Sequence, residues 1–122
     1  VLLMIGDGGM LMTMGEIETI IREDLPMIVL VMNDAAYGAE VHILKGQSLP
    51  PAKAEFFDVD FAPMAEPLGF DAHTIRSMDD LRKIEPLLAN PQGPIFLDCK
   101  INGDVIAPFI TEFTHRDTGA KS

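Results

Sequence analysis

Val1-Leu2-Leu3-Met4-Ile5-Gly6-Asp7-Gly8-Gly9 and Met27-Ile28-Val29-Leu30-Val31-Met32-Asn33-Asp34 decide the fold of this chain. Each is a short, continuously apolar run closed by residues that favour a turn. Such runs suit strands buried on both faces, as in a parallel sheet. Between them, apolar residues recur at Met10, Leu11, Met14, Ile17, Ile20 and Ile21, spacings of three and four that predict one buried helical stripe. Glu16, Arg22 and Glu23 are left to face water, and Pro26 forbids continuation of the helix. Strand, helix and strand within about thirty residues make a βαβ unit, with parallel pairing and a right-handed crossover.

The remaining chain continues the alternation. A short helix is expected over Ala39 to Leu44, then a loop with Gly46, Pro50 and Pro51. Asp60 is placed to cap a helix ending at Gly69, shortened or kinked by Pro67. Ala72 to Ile75 reads as a third strand. Ser77 with Asp80 forms a capping box for a helix to about Leu88, interrupted by Pro86. Gly93-Pro94 leads into a last strand over Ile95 to Ile101, on which Cys99 is a packing residue. The expected architecture is α/β: a parallel sheet with helices on both faces over residues 1–107, and a polar tail that frays over 108–122. Val1 runs directly into a strand without an initiator Met, which predicts a domain truncated on its N-terminal side and cut from a longer protein.

Composition narrows the function. The formal charge is −10 with only nine Lys and Arg residues, scattered along the chain. That argues against a nucleic-acid or anionic-membrane surface. No apolar run approaches the roughly 20 residues of a membrane span. Cys99 is the only cysteine, so no internal disulfide forms and a cytoplasmic location is expected. Any phosphate bound here has to be held by backbone N–H groups or a metal ion, because side-chain cations are scarce.

In an open parallel sheet ligands gather at the carboxyl ends of the strands. Two strand ends here carry Gly6-Asp7-Gly8-Gly9 and Asn33-Asp34-Ala35-Ala36-Tyr37-Gly38, each preceding a helix start. Free N–H groups and the positive end of the dipole attract anions there, and glycines allow close approach of a phosphate. Asp7 repels such an anion unless a hard divalent cation sits between them. Mg²⁺ prefers carboxylate, carbonyl and phosphate oxygens. Asp7, Asp34 and a backbone carbonyl of the second turn supply that protein side. Two other readings stand beside this one. A Rossmann dinucleotide site takes Gly6 and Gly8 as its first glycines and Asp34 for the ribose, but needs Gly or Ala where Leu11 stands. A purely structural reading makes the glycines turn residues and the two aspartates helix caps.

At these residues the chain resembles the C-terminal cofactor domain of thiamine diphosphate enzymes, in the set of acetolactate synthase, benzoylformate decarboxylase and pyruvate decarboxylase. The likeness rests on Gly6-Asp7-Gly8 followed, after a βαβ crossover, by Asn33-Asp34. Met12-Thr13-Met14 with Glu16, Tyr37-Gly38, Asp60-Phe61-Ala62, Leu68-Gly69 and Gly93-Pro94-Ile95 extend it to about residue 103. The resemblance implies that Asp7, Asp34 and the Ala36 carbonyl ligate Mg²⁺, and that Gly6, Gly8, Gly9, Tyr37 and Gly38 offer backbone contacts to the diphosphate. Asp34 stands where the family often has Asn, which keeps an oxygen ligand and adds charge. Asn33 is expected to stabilise the turn.

The same resemblance points to Glu40 as a catalytic residue. The matching helix position in similar decarboxylases faces the reactive carbon of the cofactor, where a carboxylate manages protons. The alternative is a solvated helix glutamate. His42, two residues on, is expected to point elsewhere on the helix, and His73 and His115 carry no partner visible in the sequence. The implied substrate is a 2-oxo acid or a related small molecule, in an intact homodimer or homotetramer. The glutamate that activates the cofactor's aminopyrimidine comes, in this family, from another domain of a neighbouring subunit. The isolated chain is therefore expected to bind Mg²⁺ and cofactor weakly and to have no turnover.

Overall fold

A computed structural model describes residues 1–111. Four strands, β1 (Leu2–Gly6), β2 (Ile28–Asn33), β3 (Asp71–Ile75) and β4 (Ile95–Lys100), form one sheet in the order β1-β2-β4-β3. Every pairing is parallel, with Leu2 opposite Ile28, Ile28 opposite Ile95 and Asp71 opposite Ile95. The period-two alternation of β2 and β4 splits the core. Val29, Val31 and Phe96 pack with Met10, Ile17, Ile20, Phe61, Ala65 and Phe70 on one face. Ile95 and Leu97 pack with Ile75, Ile84 and partly buried Leu81, Leu87 and Leu88 on the other. The helices α1 (Asp7–Thr13), α2 (Ile17–Arg22) and α4 (Ala62–Ala65) thus cover one face. The helices α5 (Met78–Lys83) and α6 (Glu85–Ala89) cover the other.

Local chemistry modifies several expectations. The stripe from Met10 to Ile21 is two helices joined by a 3₁₀ turn at Met14–Glu16, and Leu11 is exposed. Gly15 weakens the helix there, and Thr13 Oγ1 donates back to the Gly9 carbonyl at 2.9 Å. Asp60 is not the cap: Phe61 holds that position without a side-chain bond, and Asp60 accepts instead from Arg76 Nη2 at 3.1 Å. The helix is short and tightens into a 3₁₀ turn at Glu66–Leu68, where Pro67 lies, before Gly69 ends it at φ 115°. The Ser77 cap forms as expected, with Asp80 N donating to Ser77 Oγ at 3.2 Å. Pro86 starts α6 rather than kinking one long helix, because proline is tolerated in a first turn. Cys99 packs partly buried against the second core cluster.

One departure is larger. β1 is an edge strand, and Leu2 and Met4 are 55% and 60% exposed, so the run is not buried on both faces here. Pro108 to Thr111 form a helical turn with Ile110 buried, and the rest of the expected polar tail, with His115, lies outside the described residues.

Candidate functional site

The chain leaves β1 and β2 at the same end of the sheet, side by side, because the strands are parallel and pair in register from Leu2–Ile28 to Gly6–Met32. Asp7 opens α1 and is only 2% exposed. Its Oδ1 accepts from Gly8 N at 3.0 Å and its Oδ2 from Ala36 N at 3.2 Å. The carboxylate therefore ties one strand tip to the other. Burial pushes its pKa up, the negative charge of Asp34 adds to that, and the surrounding backbone N–H groups oppose it.

Asp34 is half-buried and held close to two glycine backbones. A Cβ on Gly38 would stand 2.4 Å from Asp34 Oδ2, and one on Gly103 would stand 3.3 Å from Asp34 Cβ. Gly38 opens helix α3 (Gly38–Gly46), and only a residue without Cβ permits this approach. Directly after Asp34 the chain makes a strained turn, with Ala35 at φ 59°. A flanking segment braces it: Tyr37 N donates to the Ala54 carbonyl at 2.8 Å and Phe56 N to the Ala35 carbonyl at 3.0 Å. The Ala36 carbonyl has no such partner among the described residues. Neither N-cap residue of α1 or α3 supplies a side-chain cap; Gly8 N in α1 is held by Asp7 Oδ1, while the first N–H groups of α3 remain available to an anion.

The glycines of the first turn differ in purpose. A Cβ on Gly8 would meet the Tyr37 ring at 2.5 Å, and that ring stacks edge-on against Phe56 with centroids 5.3 Å apart. A Cβ on Gly9 would stand 3.0 Å from Ile5, whereas Gly6 faces open space. A hollow of about 360 Å³ adjoins the second turn, lined by Asp34, Ala36, Gly38, Val41, Lys45 and Glu55 among others. A larger one, about 490 Å³, lies at the amino ends of β1 and β2 beside Leu25, Pro26 and Pro94. It is at the wrong end of the strands for ligand binding in this topology. Glu40 sits in the first turn of α3, exposed, and does not line the hollow at the strand tips.

The two carboxylates and one carbonyl suit a hard, oxygen-preferring dication. Their mutual repulsion, the free Ala36 carbonyl and the glycine cradle around Asp34 all fit Mg²⁺. No cluster of three or more His, Cys, Asp or Glu side chains is gathered for a metal among the described residues, so a cation held here depends on backbone and ligand oxygens.

Residues 1–99 match the family described as the thiamine pyrophosphate enzyme C-terminal TPP-binding domain. The chain belongs to that family. Thiamine diphosphate is the cofactor of such domains. Similar sequences include an acetolactate synthase of Bacillus subtilis, 27% identical over 80% of this chain, and a probable pyruvate decarboxylase of Schizosaccharomyces pombe, 30% identical over 84%. The chain spans 17% and 18% of those two proteins. In structure, this TPP-binding domain is similar to a thiamine diphosphate-dependent 4-hydroxybenzoylformate decarboxylase of Rhodococcus jostii, with a TM-score of 0.74 at 20% identity, over 84% of this chain and 20% of that one. The fold is thus that of the family.

Behind the tips of the TPP-binding domain lies a network that sequence reading missed. Asn33 Nδ2 donates to Asp98 Oδ1 and to the Val59 carbonyl, both at 2.9 Å, while Asn33 Oδ1 accepts from Ala35 N at 3.2 Å. Asp98 is fully buried, and its Oδ2 accepts from Phe61 N at 2.9 Å. Lys100 Nζ lies 3.3 Å from both Asp98 and Asp60, donates to the Val59 carbonyl at 2.6 Å and also pairs with Asp58. Burial pulls the Lys100 pKa down, but its carboxylate partners outweigh that and hold it above the usual lysine value. An Asp and a Lys two apart on an otherwise apolar strand were the signal. Asn33 does stabilise the turn, as expected. His73 Nε2 lies 2.8 Å from Asp71 Oδ1, a partner the sequence did not reveal. Among the described residues no helix is long and apolar enough to cross a membrane.

Proposed function

We propose that this domain holds Mg²⁺ through the carboxylates of Asp7 and Asp34 and the Ala36 carbonyl. The diphosphate of thiamine diphosphate then rests against the backbone of Gly6, Gly8, Gly9, Tyr37 and Gly38. The observation that carries this reading is the Asp7 carboxylate bonded to Ala36 N at 3.2 Å, with the charge of Asp34 beside it. Two acidic groups brought together at uncapped helix starts favour a dication, and the dication favours a polyphosphate.

The domain serves a larger enzyme that makes or breaks a carbon–carbon bond next to a carbonyl, on a 2-oxo acid or a related substrate, in the cytoplasm and as a homodimer or homotetramer. When bound, the cofactor supplies the carbanion-stabilising chemistry. The chain's own residues bind and orient it, and Glu40, exposed in the first turn of α3, handles a proton at the reacting centre once the remaining domains enclose that helix. Glu40→Gln in the intact enzyme is expected to lower kcat about a hundredfold or more with unchanged cofactor affinity. Unchanged kcat returns Glu40 to the solvent.

Titration calorimetry on the chain tests the metal-mediated reading. Thiamine diphosphate binding is expected with Mg²⁺ and is abolished by EDTA. Binding that survives EDTA, or magnesium-independent binding of NAD or FAD, favours the dinucleotide module instead.

A further inference from the structure

We propose that Asp98 is a positioning residue for the 33–36 turn and acts through the side chain of Asn33, an inference that rests on reading that turn as metal-binding. The turn has an unusual conformation to maintain. Ala35 sits at φ 59°, a region that L residues adopt only when their surroundings over-determine it. The Asn33 side-chain oxygen holds the Ala35 N–H at 3.2 Å, and the next amide, on Ala36, then reaches Asp7 at 3.2 Å.

Asn33 can do this only in one of its two amide orientations, with oxygen toward Ala35 and nitrogen inward. An ionised carboxylate is an acceptor only, so Asp98 Oδ1 at 2.9 Å selects the inward nitrogen. The Val59 carbonyl, also at 2.9 Å, makes the same demand. Asp98 is itself locked, because its other oxygen accepts from Phe61 N at 2.9 Å and lies 3.3 Å from Lys100 Nζ. Bond by bond, β4 thereby sets the polarity of a side chain on β2 that sets the turn. Partners in this outer position orient the groups that meet the metal.

Asp98→Asn has the same shape but loses the polarity. The introduced amide either turns its nitrogen toward the Phe61 N–H or turns it toward Asn33, whose own nitrogen already points there. Amide hydrogen exchange by NMR on the full chain reads the turn without any ligand. Asp98→Asn is expected to speed exchange at Ala35 and Ala36 at least about tenfold while Val31 in β2 stays protected. Mn²⁺ affinity in the same variant, read by electron paramagnetic resonance, is expected to fall about tenfold to a hundredfold.

Unchanged protection at Ala35 and Ala36 in Asp98→Asn overturns the proposal. Should that variant also lose protection at Val31, Asn33→Ser carries the test, because it leaves Asp98 bonded to Phe61 and Lys100. A protected Ala36 in a folded Asn33→Ser chain overturns the proposal equally. A wild-type chain that holds no Mn²⁺ refutes the metal-binding reading, while the exchange result still decides the role of Asp98.

Discussion

Replacing Gly38 by alanine separates the site from the fold. A Cβ there would stand 2.4 Å from Asp34 Oδ2, whereas carbon–oxygen contacts settle at about 3.3 Å or more, so the carboxylate must retreat by roughly 0.9 Å. The atom in the way is the end of a side chain, and it moves more easily than backbone. Mg²⁺ demands oxygen ligands at about 2.0–2.1 Å in near-octahedral array, and a displacement of that size removes Asp34 from the set. Gly38 is the first residue of α3 and its φ is not left-handed, so alanine, the better helix former by up to about 1 kcal/mol, does not weaken the helix. The expected result in calorimetry is a loss of about tenfold or more, roughly 1.4 kcal/mol, in Mg²⁺-dependent thiamine diphosphate affinity. Tm is expected to stay unchanged or rise. Wild-type affinity in Gly38→Ala refutes the assignment of Asp34 as a ligand, and a lowered Tm assigns the effect to the fold.

Asp7→Ala is expected to abolish cofactor retention, with stability altered by less than about 2 kcal/mol, because two lost backbone hydrogen bonds oppose the relief of burying a carboxylate. Retained binding in a filter assay removes Asp7 from the metal site. Burial, reinforced by the charge of Asp34, raises the Asp7 pKa above 3.8, so the folded chain keeps that proton to higher pH than the unfolded one. Its contribution to stability is fully present below 3.8 and is lost as pH rises through the raised value. Urea midpoints from about pH 3 to 7 are therefore expected to show wild type losing ground to Asp7→Asn, and saturating Mg²⁺ narrowing the gap; a gap independent of pH contradicts this. Lys100→Met strips the buried Asp98 of its cation and is expected to cost about 3–5 kcal/mol in urea unfolding, and a loss below about 1 kcal/mol means the pair is solvated.

The parallel sheet was legible because β2 and β4 are apolar runs bounded by turn residues, and the order of elements left little freedom in topology. Helix ends were less so. Asp60 has a capping residue's chemistry but is drawn to Arg76 and Lys100, partners far along the chain, and Pro86 begins a helix rather than bending one. The candidate site was legible in its two turns, since glycines and aspartates at strand ends are local features. Gly103 was not, because its closeness to Asp34 depends on where the chain goes after β4.

Periodicity and turn chemistry act between neighbours along the chain, and so Val1 to Asp34 alone established a βαβ unit with acidic, glycine-rich tips. What only the folded chain decided is which of those groups meet: Asp7 with Ala36, Asp34 with Gly38 and Gly103, Asn33 with Asp98. The same packing put Leu2 and Met4 at an exposed edge, although their sequence reads as core. Burial and hydrogen-bond partnership are properties of distance in space, and a linear pattern encodes the tendency of a residue to be buried but not the neighbour that buries it.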